Sequence, residues 1–429
     1  MSTRYMSGDL LNILSRGTVS VTDSDANYAA ANLYDSKPSK PWMAGSNAAK
    51  TISVDGNVLS NGNLDTWAGS TDPTNWVATV VSPGTVTQTT ATTEVVSGSA
   101  AKINSGSSGS AKIAKDFTMR AGERFVINGQ YRVDAASTAG IIATARALLQ
   151  NLTNGKYFSG SAWSTASTTY LVSSTSTAYT NQASSGQVES LASMLYPTCT
   201  LRLTLQPSTS AAGNAFFDDW FVWPVWNYVS VHGHNTDPVS VVTILSSTDN
   251  FVTATTEKTM TVKQPAFYSI LTTENSRRHA RVSWSNANTT AVGALYVGEL
   301  VVGYSESLTR VQDHAARNPW QYGYVRDQVR SQTPPGEEYV FQQSNNARQI
   351  LRLPFTHTDS TEWLEFFREI RLRTQDGEFP LVLIPDDTED TVIFGRVGQT
   401  QEVQRTFGAP YGSETDLFLT ELGFPIVGL

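Results

Sequence analysis

Asp218 and Asp219 stand side by side in AFFDDWFVWP (215–224), and a pair of carboxyl groups is what hydrolysis of a glycosidic bond requires. The two must then face each other, about 5–10 Å apart. The run reads as a strand, in which neighbouring side chains point to opposite faces, so hydrolysis by this pair is not expected. His232 and His234, in HGH, have the spacing that puts two imidazoles on one strand face. Two imidazoles fall short of a transition-metal ligand set, and structural histidines are the expectation. The acidic run PDDTEDT (385–391) reads as a solvated hairpin turn. No Gly-x-Ser-x-Gly, His-Glu-x-x-His or phosphate-loop pattern occurs. The chain is expected not to be an enzyme.

Bulk properties narrow the classes further. With 429 residues the chain is long enough for roughly two to four domains of about 150 residues each. Its 40% hydrophobic and 10% aromatic content supports packed cores rather than disorder. A net charge of -8 and a pI near 5.2 leave no cationic footprint for nucleic acid. Short basic runs, RRHAR (277–281) and REIRLR (368–373), fall within structured patterns and read as solvated faces. The single cysteine, Cys199, excludes an intramolecular disulfide and reads as a buried, inert thiol. The opening MSTRYMSGDLLNIL lacks the apolar centre of a signal peptide. No run approaches the roughly 18 apolar residues of a membrane span. The expectation is a protein folded in a cytoplasm, although its composition looks extracellular.

Strand patterns must position most of these side chains. GTVSVTDSD (17–25), RFVINGQYRVD (124–134), TLRLTLQP (200–207), SVVTILSS (240–247) and ARVSWSNA (280–287) are short, β-branched and bounded by turn residues. Leu201, Leu203 and Leu205 alternate with polar residues, as a half-buried strand requires. AGIIATARALLQ (139–150) fits a helix or a strand equally. Two β-rich layers packed face to face are the natural solution.

Composition then divides the chain. Residues 59–225 are thick with Ser, Thr, Ala and Gly and poor in charge, most of all in 164–186. Hydroxyls keep an exposed strand face soluble without charge, and they suit a surface that meets polyols. Residues 311–429 are richer in Arg, Glu and Asp. There DSTEWLEFFREIRLRTQDGE (359–378) predicts a helix, with Asp359 as N-cap and Glu362 completing a capping box. Trp363, Phe366, Phe367 and Ile370 share one face. Strand patterns on either side make this an expected α+β unit.

Two family resemblances rest on quoted motifs. NGNL (61–64) with DPTNW (72–76), KYFSGSAW (156–163) and AFFDDWFVWP (215–224) resemble the carbohydrate-binding β-sandwiches attached to glycoside hydrolases and phage tail proteins. The layout of RLPFTHTDSTEWLEFFREIR and GEFPLVLIPDD is similar to tail-tube and distal-tail domains of long-tailed phages. NLYDSKPSKPWMAGS (32–46) faintly resembles discoidin-like sandwiches. The expected fold is mainly β. A split sandwich from 1–58 and 226–310 carries an inserted jelly-roll-like sandwich at 59–225, and an α+β tail domain follows at 311–429. Insertion into a loop whose ends lie close together is well tolerated.

The resemblances also imply sites. Sugar binding would use exposed aromatic faces, with Trp67, Tyr157, Trp163 and Tyr170 as candidates, while Trp76 and Trp220 sit at motif positions that belong to the core. A structural calcium ion could be held near Asn61 and Asn63 by Asp218 or Asp219, and no other cofactor is expected. The aromatic, Pro-containing segment 318–339 is expected to pack on a neighbouring subunit through Trp320, Tyr322, Tyr324 and Tyr339. These readings imply a virion tail or tail-tip component assembled in the host cytoplasm. It would form a homo-oligomeric ring, of which a hexamer is one symmetry, contact other tail proteins and grip host-surface glycans. Two alternatives stay open: a non-viral glycan-binding adhesin, and an accessory module of a polysaccharide depolymerase.

Overall fold

The computed structural model describes residues 4–7, 12–37, 40–46, 48–106, 108–120, 123–134, 143–188, 198–208, 213–285, 294–307, 321–332, 338–355, 380–384, 392–397, 404–405 and 413–421. The chain divides into two compact units, one of Met1–Asp55 with Trp226–Leu429 and one of Gly56–Val225.

Gly56–Val225 is a sandwich of two antiparallel sheets. The larger runs Trp163–Ser164, Tyr157–Phe158, Ala145–Asn151, Thr198–Pro207, Ser110–Arg120, Val77–Val81, with Val172–Ser174 also paired to Ala145–Asn151. The smaller runs Thr180–Gln187, Arg124–Val133, Asn214–Pro224, Ala100–Asn104, Thr85–Thr89. Alternation fills the space between them. Leu201, Leu203 and Leu205 are buried from one sheet, and Phe125, Ile127, Phe217 and Val222 from the other. The ambiguous 139–150 segment resolves as a strand over its described part, with Ala145, Ala147 and Leu149 buried and Arg146, Leu148 and Gln150 half-buried.

The other unit is also layered. A five-stranded sheet (Thr255–Met260, Val242–Ser247, His279–Trp284, Lys50–Asp55, Thr18–Val21) packs on a four-stranded one (Ala266–Asn275, Trp226–His234, Tyr296–Gly303, Trp42–Met43). Trp226–His234 is buried along its whole length because both its faces are covered. Trp226, Val229 and Val231 join the core between those two sheets. Tyr228 meets Val382, Ile384 and Phe394 from a third sheet, whose path is Glu306–Ser307, Arg4–Ser7, Leu381–Ile384, Ile393–Val397, Ser413–Glu421, Glu338–Phe355, Gln321–Gln332.

The fold is thus mainly β. The helical turns among the described residues are two short 3-10 segments, Ile13–Ser15 and Ala30–Leu33. The helix expected over 359–378 lies outside the described residues, and the described residues of 311–429 form strands alone, which leaves the α+β description without support. No helix among the described residues is long and apolar enough to cross a membrane.

Candidate functional site

The outward face of the larger sheet in Gly56–Val225 is built from the polar positions of half-buried strands. Antiparallel register places directly paired residues on the same face, so side chains form rows across the strands. One row is Ser164, Tyr157, Gln150, Arg202 and Asp116. The next is Leu148, Thr204, Ala114 and Val77. The third holds Ser173, Arg146 and Gln206, then Lys112 and Thr79 one step beyond the Leu205–Ile113 pair. Rows lie about 7 Å apart and strands about 4.8 Å apart. A row of short or apolar side chains therefore runs across four strands, flanked over Ala145–Asn151, Thr198–Pro207 and Ser110–Arg120 by Gln150, Arg202 and Asp116 on one side and by Arg146, Gln206 and Lys112 on the other. This is a trough.

Its walls hold unused hydrogen-bonding groups. The side chains of Gln150, Gln206 and Lys112 and the Tyr157 hydroxyl make no hydrogen bond among the described residues. Arg202 donates Nε and Nη2 to the two carboxylate oxygens of Asp116, at 2.6 and 2.7 Å. Arg146 lies 4.8 Å from the Tyr170 ring centroid and donates Nη1 to the Tyr170 hydroxyl at 3.4 Å.

Of the four aromatic candidates, the fold brings Tyr157 and Tyr170 to this face. Trp163 is turned the other way: its ring packs 5.2 Å from that of buried Phe158, and its Nε1 donates to the Gln187 carbonyl of the opposite sheet at 2.8 Å. It closes the sandwich edge. Trp67 belongs to the loop that leads into Val77–Val81, where its Nε1 donates to the Leu64 carbonyl. Arg146, Gln150, Arg202 and Gln206 escaped sequence reasoning. Their signal was present as the polar half of the alternation in ARALLQN and TLRLTLQP.

Asn61, Asn63, Asp218 and Asp219 do other work. Asn61 has φ 54 and closes its loop, its Nδ2 donating to the Thr66 and Thr74 carbonyls and its Oδ1 accepting from the Thr66 N–H. Gly62 accepts from the Trp220 N–H at 2.8 Å, and a Cβ there would lie 2.1 Å from the Trp220 carbonyl oxygen. The opening motif is thereby stitched to the closing one. Asn63 donates to Asp65. Asp219, with φ 51, sits in a β-bulge, which breaks the alternation expected from sequence. Both carboxylates consequently reach Ser97, Asp218 at its N–H (3.3 Å) and Asp219 at its hydroxyl (3.5 Å). Asp218 also accepts from the Val96 N–H at 2.7 Å. Burial, reinforced by the Asp219 charge, pushes the Asp218 carboxyl up to about 7. Both backbone N–H groups meet Oδ2, which makes this carboxyl an anchor for the 90–99 loop, while its Oδ1 is buried without a hydrogen-bond partner. Among the described residues no three His, Cys, Asp or Glu side chains gather as a metal site. Calcium takes six to eight oxygen ligands, and of the oxygens here the Asn61 Oδ1 is already engaged by the Thr66 N–H.

His232 and His234 part company because Gly233, between them, has φ 56. The His232 ring meets Phe394, whereas the His234 ring meets Phe267, in a different apolar cluster. They do not share a face. Of the interface candidates, Trp320 lies outside the described residues. Tyr322 and Tyr324 fall on Gln321–Gln332 and Tyr339 on Glu338–Phe355, which pair as a hairpin.

No protein-family model matches the sequence, and none of the curated proteins does. Solved structures give distant likenesses. The enzymatically active domain of bacteriophage CBA120 tailspike protein 4 is 12% identical over 39% of this chain, which spans only 21% of that chain, with a TM-score of 0.28. The CBM22-1 xylan-binding domain of Paenibacillus barcinonensis Xyn10C is 11% identical over 38% of this chain and 90% of its own, at 0.26. TmCBM61 in complex with β-1,4-galactotriose is 10% identical over 39% and 98%, at 0.27.

Proposed function

We propose that Gly56–Val225 is a saccharide-binding module and that its site is the trough between the Tyr157–Gln150–Arg202 and Arg146–Gln206 rows. The observation that carries this reading is the juxtaposition of a low floor (Leu148, Thr204, Ala114) with walls of unpaired amide, hydroxyl and aromatic groups. Sugars present this combination in mirror image, with equatorial hydroxyls at the rim and C–H surfaces on the faces. The strands of this face carry one carboxylate, Asp116, and Arg202 holds it. Glycoside hydrolysis takes two, so the trough binds and does not cleave. The test fills the floor and leaves every wall group in place. Thr204→Leu with Ala114→Leu, made in the full-length protein, is expected to abolish polysaccharide retardation in affinity electrophoresis at an unchanged melting temperature. Undiminished retardation by the double variant, or none by the parent on any polysaccharide, overturns the reading.

A finer reading makes the whole chain a component of a phage tail or tail tip that assembles with copies of itself and displays the module toward host glycans. One observation favours it. Among the described residues, the Glu338–Phe355 strand has a third-strand neighbour only over Ile350–Phe355, so the rest of its hairpin with Gln321–Gln332 is a two-stranded ribbon. Such a ribbon is marginal by itself in water, and its open edge is a template for another strand. Light scattering and particle imaging of the full-length protein test this. A closed ring that dissociates when residues 327–342 are replaced by a short turn is expected. A strictly monomeric protein that joins no tail particle rules it out and leaves a free-standing glycan-binding or depolymerase-associated protein.

A further inference from the structure

We infer that the trough selects negatively charged saccharides, with Arg146, Gln206 and Lys112 gripping a carboxylate or sulfate group. This rests on the saccharide-binding reading above and narrows it to a ligand class. The whole chain carries a net charge of -8, so an uncompensated cationic row on this face is not a by-product of overall composition. Arg146 and Lys112 have no carboxylate partner among the described residues. Arg202, by contrast, is neutralised by Asp116. The cations available to a ligand therefore lie along one wall of the trough and not the other.

Arg146 is prepared for an anion in two ways. The Tyr170 ring, 4.8 Å away, holds the guanidinium as a cation–π partner and removes part of its freedom before any ligand arrives. Its Nη1 donates to the Tyr170 hydroxyl and its Nε is shielded from solvent, whereas Nη2 makes no hydrogen bond among the described residues and is the nitrogen that an arriving oxygen acceptor can meet. Gln206 lies directly opposite Arg146 and supplies an amide N–H. Lys112, exposed, follows on the next strand. Three successive strands span about 10 Å, and long Arg and Lys side chains converge readily across that distance. Planar oxyanions are the natural partners of a guanidinium, and an ammonium adds a point charge at the second oxygen.

The test uses the full-length protein and two polymer pairs: polygalacturonate against the same polymer after its carboxyls are reduced to alcohols, and dextran sulfate against dextran. Expected is binding to at least one charged member, with its neutral counterpart at least tenfold weaker and the affinity falling as salt shortens the screening length from about 30 Å at 0.01 M to about 8 Å at 0.15 M. The pair that discriminates identifies carboxylate or sulfate as the group held. Arg146→Gln and Lys112→Gln should each weaken that binding about tenfold, as loss of a charge-assisted hydrogen bond does, while Lys258→Gln in the other unit changes nothing. Lys112 is exposed on its strand, so its variant reports even where the Arg146 variant fails to fold. Equal binding to charged and neutral members overturns charge selection and leaves the saccharide site standing. Binding that is unchanged in both variants overturns the assignment to this row. No binding to any polymer in either pair overturns the proposal together with the reading beneath it.

Discussion

Arg202 holds Asp116 across neighbouring strands by two parallel hydrogen bonds, Nε to Oδ1 at 2.6 Å and Nη2 to Oδ2 at 2.7 Å. The bond to Arg202 keeps the Asp116 carboxyl below the usual carboxylate range. Both side chains are more than 40% exposed, at 43% and 45%, so water screens the pair and its net contribution to stability is small. Its larger effect is on the trough, where it cancels the Arg202 charge.

Asp116→Asn should therefore move the unfolding free energy by less than about 1 kcal/mol, yet strengthen binding of an acidic polysaccharide, because Arg202 becomes a free cation beside Gln150. Urea unfolding and affinity electrophoresis on the same preparation check the two halves. A variant that binds the acidic polymer more weakly would mean that Asp116 itself contacts the sugar.

Asp218 gives the sandwich module an unusual pH response. Burial raises its carboxyl from the ordinary range to about 7. Between about pH 4 and 7 the unfolded chain has lost this proton while the folded one keeps it, so stability falls as pH rises through that window and levels off above it. The slope from one such group approaches 1.4 kcal/mol per pH unit at most. Asp218→Asn keeps an oxygen acceptor for the Val96 and Ser97 N–H groups and cannot ionise. Urea denaturation of the module's transition at several pH values should show the descending slope in the parent and its absence in the variant.

The other unit should respond with the opposite sign. His234 Nδ1 accepts from the Thr236 N–H at 3.0 Å, which leaves the proton on Nε2 to be donated to the Lys263 carbonyl at 2.9 Å. A second proton on Nδ1 would break the first bond, and burial lowers this imidazole to about 4. The unfolded histidine takes up a proton below about pH 6.5 while the folded one does not. Stability is thus complete above that pH and is lost as pH falls toward 4. Two transitions that move apart in opposite directions between pH 7 and 4.5 are expected in a calorimetric scan. His234→Gln should lessen the fall on the acid side of the unit's profile, at the cost of the Phe267 packing, while His232, lowered to about 3 by burial, supplies part of the fall that remains.

Much of this architecture was legible from alternation alone. TLRLTLQP and RFVINGQYRVD announced half-buried strands, and their apolar residues are the ones that meet in the core. The trough was less visible, because it arises from register across four strands, and register is a tertiary fact. Trp163 stood among the aromatic candidates for sugar contact, and its pairing with Phe158 turns it toward the interior instead. The HGH and DDW pairs misled for a common reason: Gly233 at φ 56 and Asp219 at φ 51 interrupt the two-residue period on which face assignments depend.

Gly129 offers the sharpest check on the module's packing. The Trp220 indole lies over it, donating Nε1 to the Gln130 carbonyl at 3.2 Å. A Cβ on residue 129 would fall 2.1 Å from Cδ2 of that ring. The contacting atoms belong to a rigid, fully buried bicycle, so the strain cannot be relieved by turning a flexible chain end. Trp220 is also tied to the opening loop through the Gly62 carbonyl, and moving it would disturb the stitch between the module's two ends. Gly129→Ala should destabilise the module by about 1–3 kcal/mol, as overpacking of a filled core does, whereas the transition of the other unit stays where it was. Loss of that selectivity, with both transitions falling together, would show that the two units do not unfold independently. A module unaffected by the added methyl group would mean that the indole does not sit over residue 129 at all.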